Sequence, residues 1–180
     1  MKTELLGCPD ENGESMTDPD PFKSEWGFTV QGIKHFSIRP AMEDDLDELF
    51  VIHRAALGEY VAATWGWDDT WQVAFFREHF RPEVRSVIAV VDRLIGFLDV
   101  AERDECVWLE NIEIGPEYQG KGIGTAIIQA LMSRARATGA PLKLQVLKVN
   151  ERAEALYGRL GFRGASETST HLLMEYRASK

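Results

Sequence analysis

The sequence predicts one α+β domain built on a mixed β-sheet. Three observations predict it. Strand-length apolar runs and helically periodic segments follow one another in the order β-α-α-β-β-β-α-β-α-β(β), without the repeated βαβ units of a wholly parallel sheet. A strand runs through a short turn into Gly120, Gly122 and Gly124, and then into a helix. The chain has 180 residues, 44% apolar and 27% charged, which suits one globular core.

The elements follow in order. Residues 1–32 carry seven acids against two lysines, with Gly and Pro throughout, and are expected to form an acidic, flexible N-terminal extension to a domain spanning 33–180. Only the apolar fragment Trp26–Val30 is suited to docking on the body. Residues 34–39 alternate and end at Pro40, which reads as a first strand. Met42–Leu57 follows a helical stripe of Leu46, Leu49, Phe50, His53 and Leu57, with acids at its start where the dipole favours them. Gly58–Trp67 reads as aromatic and irregular. Asp68 or Asp69 caps a second helix running to Phe80, and Pro82 closes it. Ser86–Val91 and Leu94–Ala101 form a hairpin about Asp92 and Arg93. Val107–Ile114 is the fourth strand. Strict alternation along it places Trp108, Glu110, Ile112 and Ile114 on one face and Leu109, Asn111 and Glu113 on the other. Thr125–Thr138 is a helix stopped by Gly139. Leu142–Val149 is a fifth strand, Glu151–Leu160 a helix capped by Gly161, and residues 163–166 and 171–177 finish the sheet.

The glycine-rich segment is an anion site by construction. Free N–H groups at a helix start, with no Cβ to shield them, favour a phosphate. A triphosphate P-loop requires Ser or Thr after Lys121, where this chain has Gly122, and the dinucleotide fingerprint G-x-G-x-x-G misses by one residue. The pattern Q-x-x-G-x-G, at Gln119, Gly122 and Gly124, is met. Further on, N-x-x-A-x-x-x-Y-x-x-x-G-F runs through Asn150, Ala153, Tyr157, Gly161 and Phe162.

These two motifs, in this order, resemble the GCN5-related N-acetyltransferase (GNAT) superfamily over residues 34–176. The resemblance implies a mostly antiparallel mixed sheet flanked by helices in three α/β/α layers. It implies acetyl-CoA as cofactor, its pyrophosphate held by Gln119, Gly120, Lys121, Gly122, Ile123, Gly124 and Thr125. The pantetheine arm would pair with the backbone of Ile112, Glu113 and Ile114 in a gap between strands four and five, with an amide of the fourth strand meeting the thioester oxygen. Asn150 would bond the arm, or cap its helix. Tyr157 matches the family's thiolate-protonating tyrosine, and it also fits a buried aromatic stripe. Glu110 is the candidate general base, or a solvated carboxylate on an exposed face. Where some relatives have a second glutamate this chain has Gln145, which cannot accept a proton. Tyr60, Trp65 and Trp67, with Trp71, are expected to wall the acceptor site as an apolar slot or cation cage, or to be plain core. Glu59, Asp68 and Asp69 offer carboxylates to an amine there, and His171 lies on a late strand.

The expected activity is acetyl transfer to a primary amine by direct attack in a ternary complex. No cysteine lies in the motifs to carry an acyl group, which speaks against a ping-pong route. A non-catalytic acyl-CoA sensor would share the loop. The net charge of −9 argues against a nucleic-acid partner, and the pI is about 5.0. No signal peptide, membrane span or metal site is read. Cys8 and Cys106 make no disulfide framework, so a cytoplasmic location is expected. The acceptor would be a small-molecule or peptide amine, and a homodimer is compatible with the family.

Overall fold

The computed structural model describes residues 26–30, 33–103 and 105–178. Its eight strands are β1 (Trp26–Val30), β2 (Ile33–Pro40), β3 (Arg85–Val90), β4 (Arg93–Arg103), β5 (Cys106–Ile114), β6 (Leu142–Leu147), β7 (Arg163–Glu167) and β8 (His171–Tyr176). They form a single sheet in the order β1-β2-β3-β4-β5-β6-β8-β7. Every neighbouring pair is antiparallel except β5 with β6. The α+β class and the mixed sheet of the sequence reading stand, and so does its order of elements from Ile33 onward. The helices are α1 (Leu46–Trp65), α2 (Asp69–Glu78), α3 (Ile123–Thr138) and α4 (Glu151–Arg159).

The helices cover both faces. Leu49 and Ile52 of α1 and Phe76 of α2 pack with Val87, Ala89, Leu94 and Phe97 on one side. Ile123, Ile127, Ile128 and Leu131 of α3 and Tyr157 of α4 pack with Leu98, Leu109, Leu144 and Phe162 on the other. Three layers result, because each helix buries an apolar stripe and each central strand has two apolar faces.

The largest departures from expectation are in α1 and at the N-terminal side of the sheet. Helix α1 does not stop near Leu57 but runs on to Trp65, where Gly66 closes it at φ 82°. Gly58 is tolerated inside it because its neighbours are good helix formers and Val61 buries against the body. Trp26–Val30, read as part of the N-terminal extension, pairs antiparallel with β2. Residues 1–25, including Cys8, and 31–32 lie outside the described residues.

The strict alternation along β5 fails at Glu110. Asp99 pairs with Asn111 and Val100 with Leu109, so Glu110 is an extra residue without a counterpart on β4. Such a β-bulge reverses the phase of everything beyond it. Val107 and Leu109 before it, and Ile112 and Ile114 after it, therefore all pack toward α3 and α4. Glu113 turns instead to α1, where His53 meets it.

One buried ion pair spans β3 and β4. Arg85 Nε and Nη2 each donate to Asp99 at 2.7 Å. The Arg85 guanidinium also lies 4.5 Å from the Phe97 ring centroid and 4.9 Å from that of Phe76. Removing one partner of such a pair strands a charge in an apolar setting. Asp99→Ala is expected to lower unfolding free energy by about 3–5 kcal/mol in urea titrations. The double replacement Arg85→Met with Asp99→Leu should recover most of that loss.

Candidate functional site

The bulge also opens the sheet. The parallel ladder between β5 and β6 covers Val107–Leu109 against Leu142–Leu144, and it ends there. Beyond it β5 keeps β4 as partner as far as Ile114, while β6 continues along β8 to Leu147. A cavity of roughly 1040 Å³ fills the angle between them. Its walls include His53, Leu57, Val61 and Trp65 of α1, Trp67, Asp68, Trp71, Gln72, Phe75, Phe76 and His79 on and beside α2, Trp108–Glu113 of β5, and Leu144–Leu147 of β6. Asn150, Ala153 and Tyr157 close it from the α4 side, and His171 from β8.

The sequence-expected residues divide between this cavity and the loop beside it. Tyr157, Glu110, Ile112, Glu113, Asn150, Trp65 and Trp67 line the cavity, as do Trp71, Asp68, Gln145 and His171. Tyr60 does not line it. It is partly buried on α1, and its carbonyl accepts a bond from Thr64. Asp69 is spent on the Trp67 indole and on Arg54. Asp68 caps α2 by accepting from the Trp71 amide at 2.8 Å. Asn150 caps α4, its side-chain oxygen accepting from the Ala153 amide at 3.1 Å.

Tyr157 is buried on α4, its ring 5.8 Å from that of Phe162. Burial alone pushes its hydroxyl up to about 12, so it remains protonated at neutral pH. Glu110, on the bulge, is ion-paired to Arg81. Its side chain keeps 20% of its exposure and that of Arg81 50%. This pair is therefore the wetter one at the cavity and the easier to open.

Beyond β5 the chain makes the glycine loop. Gly120 and Gly122 sit at φ 73° and 86°. The left-handed value at Gly122 is the N-cap of α3 and would strain any residue with a Cβ. No side chain caps that helix start, so its first amides are left for a ligand. Gln119 braces the loop, donating to the Ile114 carbonyl at 2.8 Å and accepting from Arg152 at 2.9 Å. A Cβ at Gly120 would come within 3.6 Å of Arg152 Nη2, which puts that guanidinium beside the open amides. The amides, Lys121 and Arg152 thus fit a diphosphate. Sequence spacing did not reveal Arg152, because it arrives from α4.

The least expected feature is the side chain of Glu113. It is fully buried, and both its oxygens lie 3.0 Å from His53 Nδ1. Asn111 Nδ2 donates to Oε1 at 2.7 Å. Read as a stripe residue of the first helix, His53 gave no sign of this, since its partner lies sixty positions away. Burial lowers the pKa of His53. The charge and hydrogen bond of Glu113, with a bond from Gln72, outweigh both burial and the opposing field of Arg85, and the net shift is upward. A raised folded-state value stabilises the fold fully below the unfolded imidazole value of about 6.5, and that contribution drains away as pH rises through the folded value. The melting-temperature advantage of the parent over His53→Gln should therefore shrink as pH rises above about 6.5, as followed by calorimetry.

Close approach of β4 holds this segment in place. A Cβ on Gly96 would fall 2.3 Å from the Glu113 carbonyl oxygen, so only glycine lets the two strands pair there.

Comparison with known proteins places the fold. The model of the acetyltransferase (GNAT) family matches residues 42–162. An uncharacterized N-acetyltransferase of Bacillus subtilis, YobR, is 45% identical over 60 residues, which are 33% of this chain and 24% of YobR. A thialysine N-epsilon-acetyltransferase of Bos taurus is 42% identical over 62 residues, 34% of this chain and 36% of that enzyme. The chain thus spans well under half the length of these two relatives. The crystal structure of PaiA N-acetyltransferase from Thermoplasma acidophilum, in complex with coenzyme A, superposes with a TM-score of 0.66 at 19% identity, over 79% of this chain and 99% of that one.

Proposed function

The chain belongs to the acetyltransferase (GNAT) family, and we propose that it moves an acetyl group from acetyl-CoA to a primary amine by direct attack, both substrates being bound together. The observation that carries this reading is the opening between β5 and β6, with a buried tyrosine hydroxyl on its wall and an uncapped, glycine-rich helix start beside it. Acetyl-CoA, when bound, would supply the acetyl group as an activated thioester. Residues 119–125 hold its diphosphate with Arg152, and the backbone of Ile112, Glu113 and Ile114 receives its arm.

Tyr157 donates its proton to the departing thiolate. Its elevated pKa would make that transfer uphill in isolation. The nitrogen, made strongly acidic by forming the amide bond, sheds a proton that restores the tyrosine. Trp65, Trp67 and Trp71 present aromatic faces to a cationic acceptor. Glu110 exchanges Arg81 for the acceptor's ammonium and holds it in the cavity as it enters. The thialysine-acetylating relatives, which act on an amine at the end of a flexible chain, agree with an acceptor of this kind.

Calorimetric titration with coenzyme A should show binding, and Gly122→Val should weaken it about tenfold or more, one lost charge-assisted bond being enough for that. No binding heat for the parent would defeat the reading. Tyr157→Phe is expected to lower kcat by about 10²–10⁴-fold while coenzyme A binding persists. Thiol release measured with L-lysine, spermidine and an alanyl-terminated peptide checks this. Binding without release on any amine would mean a sensor of the same fold.

A further inference from the structure

We propose that His53 accepts the proton of the acceptor's ammonium and that Glu113 positions it for that transfer. The proposal rests on the acetyltransferase reading above and adds the group that activates the nucleophile.

The geometry is that of a carboxylate–imidazole pair. The Glu113 side chain has no solvent exposure and cannot meet a substrate itself. It receives the His53 ring at 3.0 Å and the Asn111 amide at 2.7 Å. An ionised carboxylate only accepts, so Nδ1 carries the hydrogen, and the lone pair of the neutral ring sits on Nε2. The His53 side chain keeps 15% exposure, and the ring lines the cavity that Tyr157 also lines. Phe76 and Trp67 fix the ring from the sides, at centroid distances of 5.1 and 6.0 Å.

A buried pair of this kind does not stabilise a fold better than well-packed apolar residues would. Here it stands on Glu113, whose own backbone lies in the segment assigned to the cofactor arm. Proton transfer is the use that explains both the burial and the place. The charged and titratable groups around the ring are Glu113 from β5 and Arg85 from β3, the latter neutralised by Asp99 from β4. The Gln72 side chain of α2 also favours the charged form of the ring. Glu110 is ion-paired to Arg81.

The step balances simply. The ammonium gives one proton to Nε2 and becomes an amine, and the ring becomes an imidazolium facing Glu113. The carbon–nitrogen bond forms as the carbon–sulfur bond breaks. The sulfur takes the Tyr157 proton, and the nitrogen returns one to that oxygen. The imidazolium then loses its proton to solvent through the open cavity.

The test is the pH dependence of kcat/KM with acetyl-CoA and the best acceptor among L-lysine, spermidine and the alanyl peptide. The parent should show an acidic limb above the ordinary imidazole value of about 6.5. His53→Gln should lose that limb and about 10²–10⁴-fold of kcat, with coenzyme A binding intact. His53→Ala should regain rate on addition of free imidazole. Glu113→Gln should move the limb to lower pH, which a merely structural residue would not do, and it keeps the proposal testable if His53 variants fail to fold. Glu110→Gln should keep the limb and raise the acceptor KM. A parental limb in folded His53→Gln, or its disappearance in Glu110→Gln, overturns the assignment to His53 and leaves the acetyltransferase reading standing. Absence of transfer by the parent to all three amines would sink both.

Discussion

One extra residue in one strand governs this molecule. Glu110 has no counterpart on β4, and the consequences run outward from there. The phase reversal sends Ile112 and Ile114 into the α3–α4 core and turns Glu113 toward α1. The β5–β6 ladder ends just before the bulge, and the opening between the two strands is the cavity. A regular strand would have buried Glu113 with the wrong partners and left no gap. The bulge therefore converts a sheet that could have been continuous into a sheet with a slot, at the cost of one residue unmatched on β4.

Three buried or half-buried ion pairs share the walls of that slot. They differ in how firmly they are held. Arg85 and Asp99 are both almost wholly buried, and aromatic rings surround the guanidinium. Their task is to keep β3 and β4 in register beneath the site. Glu113 and His53 have one buried member and one that reaches the cavity. Glu110 and Arg81 are the most exposed. Going from core to solvent, the pairs pass from fixed to titratable to exchangeable. A buried charge is costly to leave alone and a wet one is not. The gradient thus assigns each pair a different job with the same chemistry.

Much of this was legible in the sequence. The glycine loop, the strand before it and the tyrosine motif all lie in contiguous stretches, where spacing alone carries the physics. Helix periodicity gave α2, α3 and α4 nearly to their ends. The bulge was not legible, since nothing in L-E-N-I-E-I distinguishes an extra residue from ordinary alternation. Helix α1 looked broken at Gly58 because glycine weakens helices on average, and the burial of Val61 that offsets it is a tertiary fact. His53, Arg81 and Arg152 were invisible for a related reason. Each acquires its meaning from a partner brought near by the fold, and none sits in a pattern of its own.

The division between loop and cavity has an evolutionary consequence. On the proposed reading the diphosphate would be gripped by main-chain amides of one short segment, in which the left-handed Gly122 tolerates little change. The acceptor walls proposed above come from side chains on and beside α1, α2 and β8, which are far apart along the chain. If these walls hold the acceptor as proposed, substitutions at Trp65, Trp67, Trp71 or His171 would accumulate independently, each reshaping the acceptor side while the donor side stays constant. A lineage with this architecture should diversify its acceptors through α1, α2 and β8 long before its donor changes.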